Sequence, residues 1–213
     1  MATPNPAKFS DAVLDAIAEL LAPYTPLTIL DPFAGVGKIH VLAQLGNQTT
    51  GVEIEPEWAT QHERTIVGDA LNLPFADGTF DAIVTSPVYG NRMSDHHDAR
   101  DDTKRHTYKH YLGRDLDPHN AGQLQWGNEY RKFHRAAWKE ATRVLVPHGL
   151  FVLNISDHVR GGKIMPVSAW HIKALERIGY RVERRVEVET PRQGHGANRE
   201  ARVGHENVVL LKR

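Results

Sequence analysis

Apolar residues recur along this chain with two periods that take turns. At Val13, Leu14, Ile17, Leu20 and Leu21 they fall three and four apart behind Ser10, the spacing of a helix with one buried face and a capping hydroxyl. Pro23 and Pro26 end it. A short apolar run at 27–30 enters a Gly-containing turn and reads as a buried strand, and 39–45 reads as a helix stopped by Gly46-Asn47. Strands are predicted at 49–54, 64–67 and 80–85, the last entered through Ala76-Asp77-Gly78. Helical spacing returns with Tyr130, Phe133, Ala137, Ala141, Val144 and Leu145. Pro147-His148-Gly149 turns the chain into a strongly apolar strand at 150–155. A helix carrying Val167, Trp170, His171, Ala174, Leu175 and Ile178 follows, then strands at 180–188 and 207–211.

Strands alternating with helices predict an α/β domain, a mostly parallel sheet covered by helices on both faces. The last two strands are joined by a polar, hairpin-like loop, which predicts antiparallel pairing at one edge. The pattern fails between Asn91 and Asn128, which is polar and rich in His, Asp, Arg and Gly. An irregular stretch of that length inside a compact domain is usually functional or mobile. The expected organisation is a single domain over 1–213 with 91–128 as an inserted segment.

Composition narrows the chemistry. The 213 residues balance 26 Lys and Arg against 26 Asp and Glu, so any polyanion must be held by a local basic surface rather than a global field. The absence of cysteine excludes disulfides, thiolate metal sites and a cysteine nucleophile. Residues 1–10 lack the apolar run of a signal peptide, and no stretch approaches the ~20 apolar residues that span a bilayer. A soluble, cytoplasmic protein with no membrane partner is expected.

Ligands of such sheets bind where the strands end. The first strand ends in Asp31-Pro32-Phe33-Ala34-Gly35-Val36-Gly37, where glycines allow close backbone approach. A dinucleotide loop would need a third glycine where His40 stands. A phosphate-cradling loop would need Ser or Thr where Ile39 stands and Gly where Pro32 stands. Asp31 would repel phosphate and attract an ammonium group. Glu53 ends the second strand, about 20 residues on, the offset at which an acid reaches ribose hydroxyls. Ile54 is placed to lie against a purine, and Asp69, in Gly68-Asp69-Ala70 after the third strand, to accept from an adenine amino group. An amino acid, a ribose and an adenine without phosphate describe S-adenosylmethionine.

These motifs resemble those of the seven-stranded Rossmann-like (class I) methyltransferases. The resemblance implies a seven-stranded, mostly parallel sheet with one antiparallel edge strand. It also implies S-adenosylmethionine held by Asp31, Phe33, Ala34, Gly35, Gly37, Glu53, Ile54, Asp69 and Ala70.

The fourth strand ends in Thr85-Ser86-Pro87-Val88-Tyr89-Gly90. An exocyclic amine is a poor nucleophile because its lone pair is delocalised. Acceptors on its two N–H groups favour attack and stabilise the developing charge. Ser86 Oγ and the Pro87 carbonyl are two such acceptors, and Tyr89 offers a face on which an extruded base can stack. In that role the ring face matters more than the hydroxyl. The segment resembles the S-P-P-Y motif of amino-directed DNA methyltransferases, with Val88 in place of the second proline. The resemblance implies Ser86, Pro87 and Tyr89 as catalytic residues and N4 of cytosine as target ahead of N6 of adenine. As in that family, the cofactor motif precedes the catalytic one and a target-reading segment follows. Asn91, Arg92, Arg100, Lys104, Arg105 and Lys109 are the candidate contacts to double- or single-stranded DNA, with Tyr108 and Tyr111 interleaved. Alternatives are N2 of guanine in RNA, a protein glutamine, and a non-catalytic nucleic-acid-binding scaffold. His106 and His110 are spaced like a helical zinc pair, but the Glu of H-E-x-x-H is missing, and methyl transfer from a sulfonium needs no Lewis acid. No metal is expected.

Overall fold

The computed structural model describes Thr3 and residues 9–90, 108–190 and 203–213. Its strands are β1 (Thr28–Asp31), β2 (Gln48–Glu53), β3 (Thr65–Val67), β4 (Phe80–Thr85), β5 (Leu145–Ile155), β6 (His158–Arg160), β7 (Lys163–Met165), β8 (Arg181–Glu189) and β9 (His205–Lys212). Seven of them form one sheet in the order β3-β2-β1-β4-β5-β9-β8. The pairs from β3 through β5 are parallel. Strand β9 runs antiparallel to both β5 and β8. The expected antiparallel element is therefore present, inserted one place in from the β8 edge.

Pleating sends neighbouring residues to opposite faces, and two cores result. Leu30, Val52, Ile83, Phe151, Leu153, Val209 and Leu211 face α4 (Asn128–Arg143) and α5 (Val167–Glu176). Ile29, Ala82, Val84, Val152, Val208 and Leu210 face α1 (Asp11–Leu21) and the 3-10 helix Lys38–Leu45. Ser10 caps α1 as its sequence predicts, its Oγ accepting from the Val13 amide. The 38–45 segment is a 3-10 rather than an α-helix, bracketed by left-handed Gly37 and Gly46. The Pro147–Gly149 turn lies inside β5 as a bulge. There His148 has φ 63, and pairing jumps from Phe80↔Leu145 to Ala82↔Leu150. The β6–β7 hairpin was not predicted, and it turns on Gly161 and Gly162, both left-handed.

The described part of the inserted segment is not a free loop. Helix α3 (Tyr108–Leu112), which follows the short α2 (Pro56–Ala59), docks through Tyr108 edge-on to Trp58 at 5.1 Å. Leu116 completes this third cluster, with Val36 of the first turn and Val88 of the fourth packed against it. A stretch that looks structureless in sequence thus covers the sheet's carboxyl edge.

Gly51 sets how closely the first turn approaches β2. A Cβ there would lie 2.7 Å from the Ala34 Cβ and 2.7 Å from Thr65 Oγ1. Gly51→Ala should destabilise the protein by roughly 1–3 kcal/mol through overpacking, with a lower melting temperature and weaker cofactor binding together.

Candidate active site

The first turn is built around a buried acid. Asp31 is fully buried at the end of β1. Its Oδ1 accepts from the Phe33 amide at 3.0 Å and from Thr85 Oγ1 at 2.8 Å. Its Oδ2 is buried with no partner. Burial pushes the Asp31 pKa up to about 7, against the pull of those two hydrogen bonds. A bare buried carboxylate oxygen is costly in isolation and becomes favourable when a cation reaches it.

Glu53 lies behind the same turn. It accepts from the Gly35 amide and the Glu55 amide, both at 2.9 Å, and burial raises its pKa to about 7. Ala34, Gly35 and Gly37 are buried around it, while Phe33 and Ile54 are half-buried. A Cβ on left-handed Gly37 would lie 2.8 Å from both His62 and His40, so a side chain there is excluded by space as well as by φ. Asp69 is half-buried beside buried Ala70. It accepts from the Leu71 amide at 2.8 Å and meets His119 Nδ1 at 3.0 Å. The structure thus gathers the predicted cofactor residues at one edge of β1, β2 and β3.

The docked segment is anchored to the same edge. Buried Glu55 accepts from the Asp117 amide, from Asn120 Nδ2 and from Arg114. Lys109 pairs with Asp115. Asn91, Arg92, Arg100, Lys104 and Arg105 lie outside the described residues.

The fourth turn sits beside the first because β4 pairs with β1. Pro87 is buried and Ser86 and Tyr89 are half-buried. The Val88 carbonyl accepts from Tyr130 Oη at 2.6 Å, and Tyr130 Oη meets His171 Nε2 at 2.8 Å. Trp138 donates its indole N–H to His171 Nδ1 at 3.1 Å. That donor fixes the proton arrangement. Nδ1 must be bare, so Nε2 carries the hydrogen and donates to Tyr130, whose own hydrogen goes to Val88. Burial holds His171 well below the usual histidine range, so the relay is neutral.

On the other side, Ser86 Oγ meets Tyr89 Oη at 3.0 Å, and Tyr89 Oη donates to Glu206 at 3.4 Å. Asn154 Nδ2 reaches Glu206 at 2.7 Å and both hydroxyls at 3.2 Å.

Sequence reasoning missed Asn154, Glu206, Tyr130 and His171. Asn154 is the one polar residue in the apolar run Phe151-Val152-Leu153-Asn154-Ile155, which was a usable signal. Tyr130 and His171 fit their helices' apolar faces and gave none.

Comparison with known proteins bears on the fold and the domain. A family model described as a methyltransferase domain matches residues 30–109, spanning the first and fourth turns. A methyltransferase structure from Methanosarcina mazei superposes with a TM-score of 0.60 at 15% identity, covering 91% of this chain and 96% of that one. The fold is that of the class I methyltransferases. S-adenosylmethionine is the cofactor that goes with this fold and with the matched domain. A second class I structure, the 1,6-didemethyltoxoflavin-N1-methyltransferase of Burkholderia thailandensis, carries S-adenosylhomocysteine. It gives a TM-score of 0.56 at 16% identity over 95% of this chain and 78% of that one. Norajmaline N-methyltransferase of Rauvolfia serpentina is 40% identical over 74 residues, 28% of this chain and 25% of the relative. The chain therefore matches only about a quarter of that curated protein's length.

Two outcomes are expected. Without ligand, Asp31 holds its proton up to about pH 7, whereas the unfolded chain releases it near 3.8. Its burial therefore lowers stability progressively as pH rises from about 4 to 7. A cationic ligand must displace that proton below pH 7. Calorimetry should show cofactor affinity falling as pH drops below 7, with proton release. Asp31→Asn should flatten this dependence and weaken binding at pH 8 about tenfold or more. Separately, Tyr130→Phe leaves the Val88 carbonyl and the His171 N–H unpaired. It should cost about 1–3 kcal/mol of stability and lower turnover while cofactor affinity holds, as read by melting and calorimetry.

Proposed function

We propose that this chain transfers a methyl group from S-adenosylmethionine to an exocyclic amino nitrogen of a base in DNA, N4 of cytosine ahead of N6 of adenine. The observation that carries this reading is the fourth turn. Ser86 and Pro87 stand next to the cofactor turn, on a loop whose Val88 carbonyl is tied down by a buried relay. A rigid loop is what amine methylation requires, because two acceptors must already point at the nitrogen when charge develops on it.

When bound, the cofactor supplies a methyl group activated by a sulfonium. The remaining roles belong to the chain. Asp31 Oδ2 takes the cofactor's ammonium, with the turn of Phe33, Ala34, Gly35 and Gly37 along its amino-acid part. Glu53 takes the ribose hydroxyls, Ile54 lies against the purine, and Asp69 beside Ala70 accepts from the adenine amino group. Ser86 Oγ and the Pro87 carbonyl accept from the target amine, and Tyr89 stacks on its base. Asn91, Arg92, Arg100, Lys104, Arg105 and Lys109 contact the nucleic-acid backbone.

A second reading, a small nitrogen heterocycle as acceptor, is favoured by two relatives whose names specify N-methylation, norajmaline N-methyltransferase and the toxoflavin-precursor enzyme. Both readings keep nitrogen as the methyl acceptor and differ in what carries it.

The test is transfer of labelled methyl to unmethylated DNA, RNA, protein and a panel of heterocyclic amines, followed by nucleoside analysis. Label in N4-methylcytosine or N6-methyladenine is the expected outcome. Label in heterocycles alone, with none in DNA, selects the second reading. With the accepted substrate, Ser86→Ala should lower kcat about tenfold to a hundredfold at unchanged cofactor affinity, since it removes an acceptor used mainly in the transition state.

A further inference from the structure

Amine methylation leaves a proton to dispose of, and the proposed function does not say where it goes. When the nitrogen lone pair forms the new N–C bond, the electron pair of the broken C–S bond stays on sulfur. The nitrogen then carries a positive charge and one hydrogen more than the product. Ser86 touches the nitrogen but is itself no sink, because a hydroxyl can accept a proton only by passing its own onward.

The cluster beyond Ser86 offers a route. Asn154, almost fully buried at the end of β5, donates to Glu206 at 2.7 Å. That contact fixes a Glu206 oxygen as acceptor. Tyr89 Oη also donates to it at 3.4 Å, and Ser86 Oγ lies 3.0 Å from Tyr89 Oη. With Tyr89 committed as donor to the carboxylate, the Ser86–Tyr89 contact is made by the serine hydrogen. The hydrogens therefore run in one direction, Ser86 to Tyr89 to Glu206, and with Asn154 Nδ2 donating to Ser86 Oγ at 3.2 Å one lone pair of that oxygen is left to face the amine. Topology permits this because β9 is antiparallel. Its first residues meet the last residues of β5, with Ile155 opposite Asn207, so an acid from the start of β9 reaches the catalytic edge.

On the proposed reaction, we infer that Glu206 is the terminal acceptor of the amine proton. It acts through the Tyr89 hydroxyl and Ser86 as a positioning residue that does not itself touch substrate. The amine's proton passes to Ser86 Oγ, the serine proton to Tyr89 Oη, and the tyrosine proton to Glu206. Glu206 becomes a neutral carboxylic acid and loses the proton to water. Tyr89 then has two separate tasks, stacking through its ring and conduction through its hydroxyl.

Glu206→Gln keeps the size and one acceptor oxygen but lacks the negative charge that takes the proton. The measurements are single-turnover methylation of the accepted substrate, KM, cofactor affinity by calorimetry, and melting temperature. The expected result is a kcat about a hundredfold lower with KM, cofactor affinity and melting unchanged. Tyr89→Phe should show the same kcat loss, and the double variant should lose no more than either single one, since all interrupt one route. A wild-type rate of N-methylation in Glu206→Gln overturns the inference alone. So does a kcat loss matched by lower melting or weaker cofactor binding, which marks a structural role. If Glu206→Gln does not fold, Tyr89→Phe is judged by the same criteria. No N-methylated product from the wild-type protein on any acceptor overturns the proposed reaction, and this inference falls with it.

Discussion

Thr85 closes β4 and Asp31 closes β1, and the hydrogen bond between them joins the two turns of the site. Both strands are interior and parallel, so their carboxyl ends emerge side by side. The threonine hydroxyl uses the shared edge to hold one carboxylate oxygen of Asp31 in place, leaving the other bare. An unpaired buried acceptor is a standing cost of order 1–3 kcal/mol. Ile29, Leu30, Ile83 and Val84 on either side are completely buried apolar residues and offer that oxygen no partner. A cation at that oxygen would convert a destabilising feature into a bound ligand, so the position of Asp31 is defined by the fold and its purpose by the chemistry.

Most of the frame was legible because its periodicities are strong and its boundaries are punctuated by Pro, Gly and Ser. The apolar runs of β1, β4 and β5 can only be buried strands between helices, and that pattern leads to a parallel sheet whose carboxyl edge holds the site. Asp31 and Glu53 were visible because each closes a strand, and Asp69 because it follows one within two residues. What stayed hidden depends on pairing across long sequence distances. Glu206 enters the cluster only because β9 inserts antiparallel between β5 and β8, and nothing local to Glu206 signals that neighbour. Tyr130, Trp138 and His171 occupy helix positions that an apolar face would fill anyway. Their polar atoms matter only once α4 and α5 pack together over the sheet. The inserted segment was opaque for a different reason. Its docking rests on Tyr108 and Leu116 and on acceptors of Glu55, a handful of long-range contacts with no period to reveal them.

The two sides of the fourth turn are held by different electrostatic means. On the helix side, Trp138, His171 and Tyr130 form a chain in which every member is neutral. Burial keeps the imidazole unprotonated and the phenol protonated. A neutral relay avoids the several-kcal/mol desolvation penalty of a buried ion, yet it still fixes the Val88 carbonyl through a short hydrogen bond. On the β9 side the cluster includes a carboxylate, Glu206, which is only half-buried. In the inferred relay, that partial exposure lets Glu206 return its proton to water after each turnover.

On the proposed reaction, this division constrains where charge can sit around a sulfonium and an amine that becomes cationic. A buried imidazolium behind Val88 would oppose the charge developing on nitrogen, and the Trp138 donor forbids it by occupying Nδ1. Negative charge is wanted instead, near the nitrogen but not in contact with it, because a carboxylate bonded directly to the amine would compete with Ser86 and the Pro87 carbonyl for its hydrogens. Two hydroxyls between Glu206 and the amine meet both conditions. They keep the charge close enough to draw the proton, and they leave the geometry of attack to acceptors that are rigidly held. The aromatic ring that carries the second hydroxyl is the same ring on which a flat base would lie. On the proposed reaction, the position of the base and the path of its proton are both set by a single side chain, Tyr89.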